Sequence, residues 1–323
     1  MKILIIKSSS MGDIIHALPV ARDIAEHLPE AELHWVAEES FRDIPTLAPN
    51  VKKVHATAFR RWRKNFLSGA VRSEMARVKA ELAAERYDVV LDIQGLMRTA
   101  LVARWTGVPS TGYTWGTIRE PLASLAYAHK LDLPETLGAV KRYRMAAAEA
   151  LDYEIDPDRP VFGLRAEGEP PLALEGRSSA FAVNTSREEK LWPEANWVAL
   201  GRRLVEDGMP PVLYWGSAEE KSRCERIAAE IPSARVAPRA PLANVASGLA
   251  KAEVVVGVDT GLAHLAAALG RPSVGIFVST PTSTLRLVGD GPVCSLGGVG
   301  CMPTVHEVYE AILRVRGMKG ERE

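Results

Sequence analysis

The sequence predicts an α/β protein made of two doubly wound domains, each a parallel sheet with helices on both faces. Three observations predict it. Apolar strand-like runs alternate with helical segments along the chain. A Pro- and Gly-rich stretch, Pro157–Arg177, interrupts the alternation, and the pattern restarts after it. Polar residues gather directly behind the apolar runs in both halves, where doubly wound folds bind ligands. Such alternation implies parallel strands joined by crossover helices.

In chain order, Ile3–Ile6 is an apolar strand, and Gly12-Asp13 opens a helix that runs to about Leu28. Leu33–Val36 is the next strand. Ser73–Glu85, rich in Ala, Glu and Arg, is helical. Val89–Ile93 is a strand ending at Gln94-Gly95, and helix Leu96–Trp105 follows. Pro157, Pro160, Pro170 and Pro171, with Gly163, Gly168 and Gly176, mark the linker. Beyond it come strand Phe181–Asn184, a helix near Trp197–Glu206, strand Val212–Trp215 and helix Glu219–Glu230. Strand Val254–Val258, helix Leu262–Leu269, strand Ser273–Phe277 and a helix from about Thr304 to Arg316 complete the pattern. The expected domains are 1–165 and 166–303, with a C-terminal helix within 304–323 packing back on the first domain. The Gly-rich segment Gly289–Pro303 receives no assignment.

Composition bounds the function classes. Apolar residues make up 47% and charged residues 25%, the profile of a soluble globular protein. Forty basic and forty acidic residues cancel, so net charge points to no nucleic-acid partner. Cys224, Cys294 and Cys301 are scattered and odd in number, so neither disulfides nor a metal-ligand spacing is expected. Met1–Lys7 reads as a strand, not a signal peptide, and no apolar run reaches the length of a membrane span. The expected location is cytoplasmic.

The most informative motif is Val254-Val-Val-Gly-Val-Asp-Thr-Gly-Leu-Ala-His264. A buried strand ends in Asp259-Thr260-Gly261, and an Ala/Leu-rich helix opens at Leu262 with His264 on its first turn. Free N–H groups and the positive dipole end suit a phosphate there; a packed core histidine is the plain alternative. Lys190, with Thr185 and Ser186 in the same post-strand loop, suits a departing phosphate or is a solvated lysine. Glu219 and Glu220 follow Trp215-Gly216 and suit ribose hydroxyls, or simply an acidic first helical turn. Ser8-Ser-Ser-Met-Gly-Asp13 is neither a dinucleotide fingerprint nor a P-loop. Asp13 reads as a helix cap or as a carboxylate poised to take a proton. Between Lys52 and Lys79 nine Lys/Arg face one acid, Glu74, for a local charge of +8. Arg60, Arg61, Arg63 and Lys64 form its centre; Trp62 and Phe66 suit a membrane interface, and Arg142 and Arg144 extend the surface.

Lys7–Asp13, Phe59–Lys64, Thr117–Leu125, Lys190–Pro193 and Asp259–His264 together resemble the lipopolysaccharide heptosyltransferases of glycosyltransferase family 9, in particular the heptosyltransferase I group. The matches run in order from residue 1 to about 270. The resemblance implies a GT-B fold: two facing Rossmann-like domains, the acceptor site in the first, the nucleotide-sugar site in the second, a cleft between them. It implies inverting, metal-independent transfer of L-glycero-D-manno-heptose from ADP-heptose to the Kdo of Kdo2-lipid A, with no cofactor. Asp13 then matches the catalytic base. Ser10, Met11, Gly12, Arg60, Arg61, Arg63, Lys64 and Arg119 fall on the acceptor side. Thr185, Ser186, Lys190, Glu220, Asp259, Thr260, Gly261, Leu262 and His264 fall on the donor side. Glu219 competes with Glu220, because the family often carries an extra residue before it. The implied setting is a monomer on the cytoplasmic face of the inner membrane. Another core ADP-heptose transferase, heptosyltransferase II-like, is the first alternative; a nucleotide-sugar or nucleic-acid binding module is the non-enzymatic one.

Overall fold

Two six-stranded parallel sheets organise the chain, one in each of two units, Met1–Gly163 and Leu164–Glu323. The computed structural model describes residues 1–173, 176–279 and 286–317. The first sheet holds β1 (Lys2–Ile6), β2 (Glu32–Glu38), β3 (Val51–Thr57), β4 (Val89–Asp92), β5 (Ser110–Tyr113) and β6 (His129–Leu131), in the order β3-β2-β1-β4-β5-β6. Its helices are α1 (Met11–Ala17), α2 (Pro19–His27), α3 (Phe59–Trp62), α4 (Gly69–Ala84), α5 (Met97–Trp105) and α6 (Ala139–Leu151). Ile3, Leu4, Ile5 and Ile6 are fully buried, as expected for a central strand covered on both faces.

The single helix expected from Gly12 to Leu28 is broken at Pro19. Proline has no N–H to give, so the Ile15 carbonyl instead accepts from Leu18 N–H at 3.1 Å. Leu18 keeps helical dihedral angles, which makes the break a kink between α1 and α2.

The second sheet holds β7 (Ser179–Ala182), β8 (Pro211–Leu213), β9 (Arg235–Val236), β10 (Val254–Val258), β11 (Ser273–Phe277) and β12 (Val293–Gly297), in the order β12-β11-β10-β7-β8-β9. Helices α7 (Glu194–Glu206), α8 (Ala218–Ala229), α9 (Leu242–Lys251), α10 (Gly261–Ala268) and α11 (Val305–Val315) accompany it. The unassigned segment Gly289–Pro303 thus contributes the edge strand β12, paired in parallel with β11. The three cysteines are free.

α11 packs on the second sheet. Val308, Ala311 and Ile312 are fully buried with Trp197, Leu200 and Ile276 in the core of the second unit. Its apolar face therefore packs on the second sheet; burying each large aliphatic side chain contributes about 1.5–3 kcal/mol. Residues 318–323 of the expected terminal helix lie outside the described residues.

Candidate functional site

In both sheets the loops that follow the strands carry the polar residues. In the second unit, β7, β8 and β10 are neighbours, so the loops beginning at Asn184, Trp215 and Asp259 share one carboxyl edge. β10 is wholly buried and delivers Asp259; Thr260 is the N-cap of α10 in extended conformation, and Gly261 is its first residue. Gly257 allows the helix to lie this close to the strand. A Cβ there would meet the Ala263 Cβ at 2.9 Å and the Ala182 Cβ at 3.0 Å.

Asp259 is the hub of this edge. Its Oδ2 accepts from Lys190 Nζ at 2.5 Å, and its Oδ1 lies 3.7 Å from His264 Nε2. Its carbonyl accepts from Thr185 Oγ1 at 3.0 Å. Three other donor-side residues therefore meet at Asp259, Lys190 and His264 at its carboxylate and Thr185 at its carbonyl. His264 is buried on the first turn of α10, as a phosphate ligand or a packed histidine would be. Thr260, Gly261 and Leu262 are half-buried at the helix start, and Ser186 is exposed in the Lys190 loop.

The two glutamates separate in the structure. Glu220 Oε2 accepts from Gly216 N–H at 2.6 Å and Ser217 N–H at 3.2 Å, while Ser217 Oγ accepts from Glu220 N–H at 3.2 Å. This is a capping box on α8, so the acidic-first-turn reading holds for Glu220. It also fixes the Glu220 side chain at the carboxyl end of β8. Glu219 is exposed.

In the first unit the loop after β1 carries Asp13 on α1. Asp13 Oδ2 accepts from Ser10 N–H at 2.9 Å and Ser10 Oγ at 2.6 Å, so the capping reading also holds. The box engages one carboxylate oxygen and leaves Oδ1 outside it. Met11 and Gly12, the first two residues of the helix, are half-buried.

Sequence reasoning missed Lys7. It directly follows β1, is buried, and donates from Nζ to Tyr143 Oη at 2.7 Å, with the ammonium 4.3 Å from the Tyr143 ring centre. Burial pushes its pKa down to about 8, partly countered by the charges of Asp13 and Asp92. Burial also opposes ionisation of Asp13, but the Lys7 charge and the two Ser10 hydrogen bonds outweigh it and hold the carboxyl below its ordinary value. The available signal was an ionisable residue set directly against an apolar strand.

The turn is braced from β4. Gln94 Oε1 accepts from Ser8 N–H at 3.0 Å and Ser9 N–H at 3.1 Å. Asp92 accepts from Tyr127 Oη at 2.7 Å and from the Gln94 and Gly95 N–H groups.

The basic cluster is less free than its sequence. Arg60, Arg61, Arg63 and Lys64 are all exposed. Arg61 is gripped by Glu39 at 3.0 Å and Glu74 at 2.8 Å, and Glu38 accepts from the Phe59 and Arg60 N–H groups. Two of these acids precede the segment over which the +8 was counted. Trp62 is buried and donates to Glu74 at 3.0 Å, which removes it as a membrane anchor; Phe66 remains 60% exposed. Arg142 and Arg144 are also buried rather than part of the surface. Arg144 pairs with Asp23 at 2.8 Å, and Arg142 donates to the Leu133 and Thr117 carbonyls. Arg119 is exposed and near enough to Lys7 to disfavour its charge.

Among the described residues one group has the makings of a metal site: His34, His55 and Glu85. Tyr87 Oη bridges the two imidazoles at 2.9 and 2.8 Å, and the Glu85 oxygens hold Lys2 and Lys53 at 2.7 and 2.6 Å. That arrangement is a hydrogen-bonded chain at the amino end of the sheet, remote from the Asp13 turn. No described helix is long and apolar enough to cross a membrane.

Comparison with known proteins gives this geometry a context. The model of glycosyltransferase family 9 (heptosyltransferase) matches residues 75–311. Lipopolysaccharide heptosyltransferase 1 of Pseudomonas aeruginosa is 40% identical over 281 residues, covering 87% of this chain and 79% of the relative. The structure of Escherichia coli heptosyltransferase WaaC with ADP superposes with a TM-score of 0.90 at 35% identity, over 98% of this chain and 100% of that one. The same E. coli enzyme with ADP-2-deoxy-2-fluoro heptose superposes with a TM-score of 0.86, again at 35% identity, over 97% of this chain and 99% of that one. The paired six-stranded parallel sheets thus match the GT-B heptosyltransferase fold.

Proposed function

Because this chain belongs to glycosyltransferase family 9, the heptosyltransferases, we propose that it transfers L-glycero-D-manno-heptose from ADP-heptose to the Kdo of Kdo2-lipid A, with inversion and without a metal. The observation that carries the reading is Asp13, a carboxylate that accepts from Ser10 beside buried Lys7 at the carboxyl edge of the first sheet. The heptosyltransferase 1 relative and the structures bearing ADP and a fluorinated ADP-heptose support the choice of donor and acceptor.

The acceptor chemistry falls to the first unit. A Kdo hydroxyl oxygen attacks the anomeric carbon of heptose and its proton passes to Asp13. The bond from that carbon to the phosphate oxygen breaks through an oxocarbenium-like transition state, and its electron pair leaves with ADP. Ser10, Met11 and Gly12 shape the turn around the base. Arg60, Arg63, Lys64 and Arg119 meet the anionic groups of the acceptor at the inner leaflet.

The donor chemistry falls to the second unit. Lys190 and the N–H groups opening α10 at Thr260, Gly261 and Leu262 take up the charge that develops on ADP. His264 and Asp259 orient that turn, Thr185 and Ser186 border it, and Glu220 receives the ribose hydroxyls. Protein cations and helix N–H groups then stand where other transferases use a divalent ion.

The test is a transfer assay with ADP-heptose and Kdo2-lipid A, with and without a chelator. ADP release that needs the acceptor and ignores the chelator is expected. Transfer only to an acceptor already bearing the inner heptose would reassign the protein to heptosyltransferase II chemistry, and a chelator-sensitive rate would refute the metal-free mechanism.

A further inference from the structure

The carboxyl edge of the first sheet carries large apolar side chains that the protein leaves uncovered. Met97, Leu101, Trp115, Leu122 and Leu125 are 49, 43, 53, 57 and 70% exposed. Single exposed apolar residues are ordinary, but a group of them marks an interaction surface.

The fold groups them. Met97 and Leu101 stand one turn apart on the outer face of α5, while Ala100, Val102 and Ala103 on its inner face are buried. α5 packs against the 3-10 turn Pro121–Ala126, which buries Ala123 and Ser124 and turns Leu122 and Leu125 outward. The Met97 N–H donates to the Glu120 carboxylate at 2.7 Å and fixes the two elements together. Trp115 lies in the loop that joins β5 to that turn.

Charge selects the partner. Across α5 and residues 114–126 the chain has Arg98, Arg104 and Arg119 against one acid, Glu120, a net of three minus one, or +2. Arg104 continues the stripe of Met97 and Leu101. Arg98 donates to Ser9 Oγ at 3.0 Å, which ties this face to the Asp13 turn. A second copy of the chain docking face to face would set +2 against +2, an unfavourable pairing. An anionic bilayer satisfies both features: acyl chains take the leucines, lipid phosphates take the arginines, and tryptophan sits at the boundary.

We propose that the outer face of α5, together with residues 114–126, is the surface by which this protein docks on an anionic lipid bilayer. Phe66 and Leu67, 60 and 86% exposed in the loop region between β3 and α4, supply a second contact beside Arg63 and Lys64. The proposal deepens the lipid-acceptor reading, which supplies its purpose; the surface itself is argued from exposure and charge.

Flotation of the full chain with vesicles, in the absence of substrates, tests it. The wild type should float with phosphatidylglycerol/phosphatidylethanolamine vesicles and not with phosphatidylcholine, and the binding should weaken as salt rises. L122S/L125S and, independently, M97S/L101S should each lower partitioning roughly tenfold, since each removes two leucine-sized anchors. Both variants should keep wild-type transfer to a water-soluble acceptor stripped of its acyl chains. Undiminished flotation of both variants, or equal wild-type binding to neutral vesicles, overturns the proposal. So does a concentration-dependent dimer that these substitutions abolish. Wild-type flotation without transfer to the soluble acceptor would count against the proposed function and support the docking surface.

Discussion

The two units solve opposite electrostatic problems at equivalent places. In the first, the carboxylate proposed as the base, Asp13, lies beside a buried ammonium, Lys7, whose charge favours its ionised form. In the second, the ammonium proposed to meet the departing phosphate, Lys190, is held by a carboxylate, Asp259, at 2.5 Å. The first charge is supported from beneath the sheet edge without a direct ion pair. The second is held in a direct pair that an incoming phosphate has to share. The lesson is that one fold presents a carboxylate and an ammonium by the same device, a strand end that delivers one charge beside its opposite.

The sharpest way to break this comparison is to remove the base. Asp13→Ala should lower kcat by about 10²–10⁴-fold while ADP affinity, read by calorimetry, stays unchanged. Near-normal turnover would end the base assignment. Lys190→Ala should cost about 10²–10³-fold in kcat/KM for the donor, with acceptor KM held. Because Lys190 and Asp259 act as a pair, the double variant with Asp259→Ala should be non-additive, with a coupling of about 0.5–3 kcal/mol; strict additivity would show that the pair is incidental.

Lys7→Met tests the support from beneath. Without the Lys7 charge the Asp13 carboxyl should titrate at higher pH, seen in the carboxyl carbon resonance of Asp13, whereas ADP binding in the second unit should not move. An unshifted Asp13 titration would remove Lys7 from the site.

The sheet's amino end offers a stability control. Hydrogen bonds from Lys2 and Lys53 hold the Glu85 carboxyl down to about 2, below its ordinary 4.5. A carboxyl lowered in the folded state stabilises the fold above the unfolded value and loses that contribution as pH falls from about 4.5 toward 2. Urea midpoints should therefore drop across that window, and Glu85→Gln should flatten the drop. The smallest effect is expected from Arg61→Ala: its guanidinium is exposed and its pairs with Glu39 and Glu74 are screened by solvent, so the thermal midpoint should barely move.

Much of this was legible in the sequence because it is local. The apolar run Val254–Val258, the Asp259–His264 turn and the restart after the linker depend on near neighbours, and they stand where periodicity puts them. What was not legible depends on distant partners. Arg144 reads as a surface charge until Asp23, 121 residues away, closes on it. Trp62 reads as an anchor until Glu74 takes its indole N–H. Lys7 reads as the polar end of a strand until Tyr143 covers it. The edge strand β12 hides in a glycine-rich segment because its pairing with β11, not its propensity, makes it a strand.

Glu38 has a consequence for recognition. By accepting from the Phe59 and Arg60 N–H groups, this buried carboxylate fixes the backbone of the basic segment where it begins, and the Arg60 guanidinium rests 5.1 Å from the Phe41 ring centre. Ordering a long side chain on binding costs about 0.5–1.5 kcal/mol. At Arg60 part of that entropy has already been surrendered on folding; at Arg63 and Lys64, exposed in the next turn, it has not. The segment is thus half template and half adjustable grip, fixed at Arg60 and free to adapt at Arg63 and Lys64.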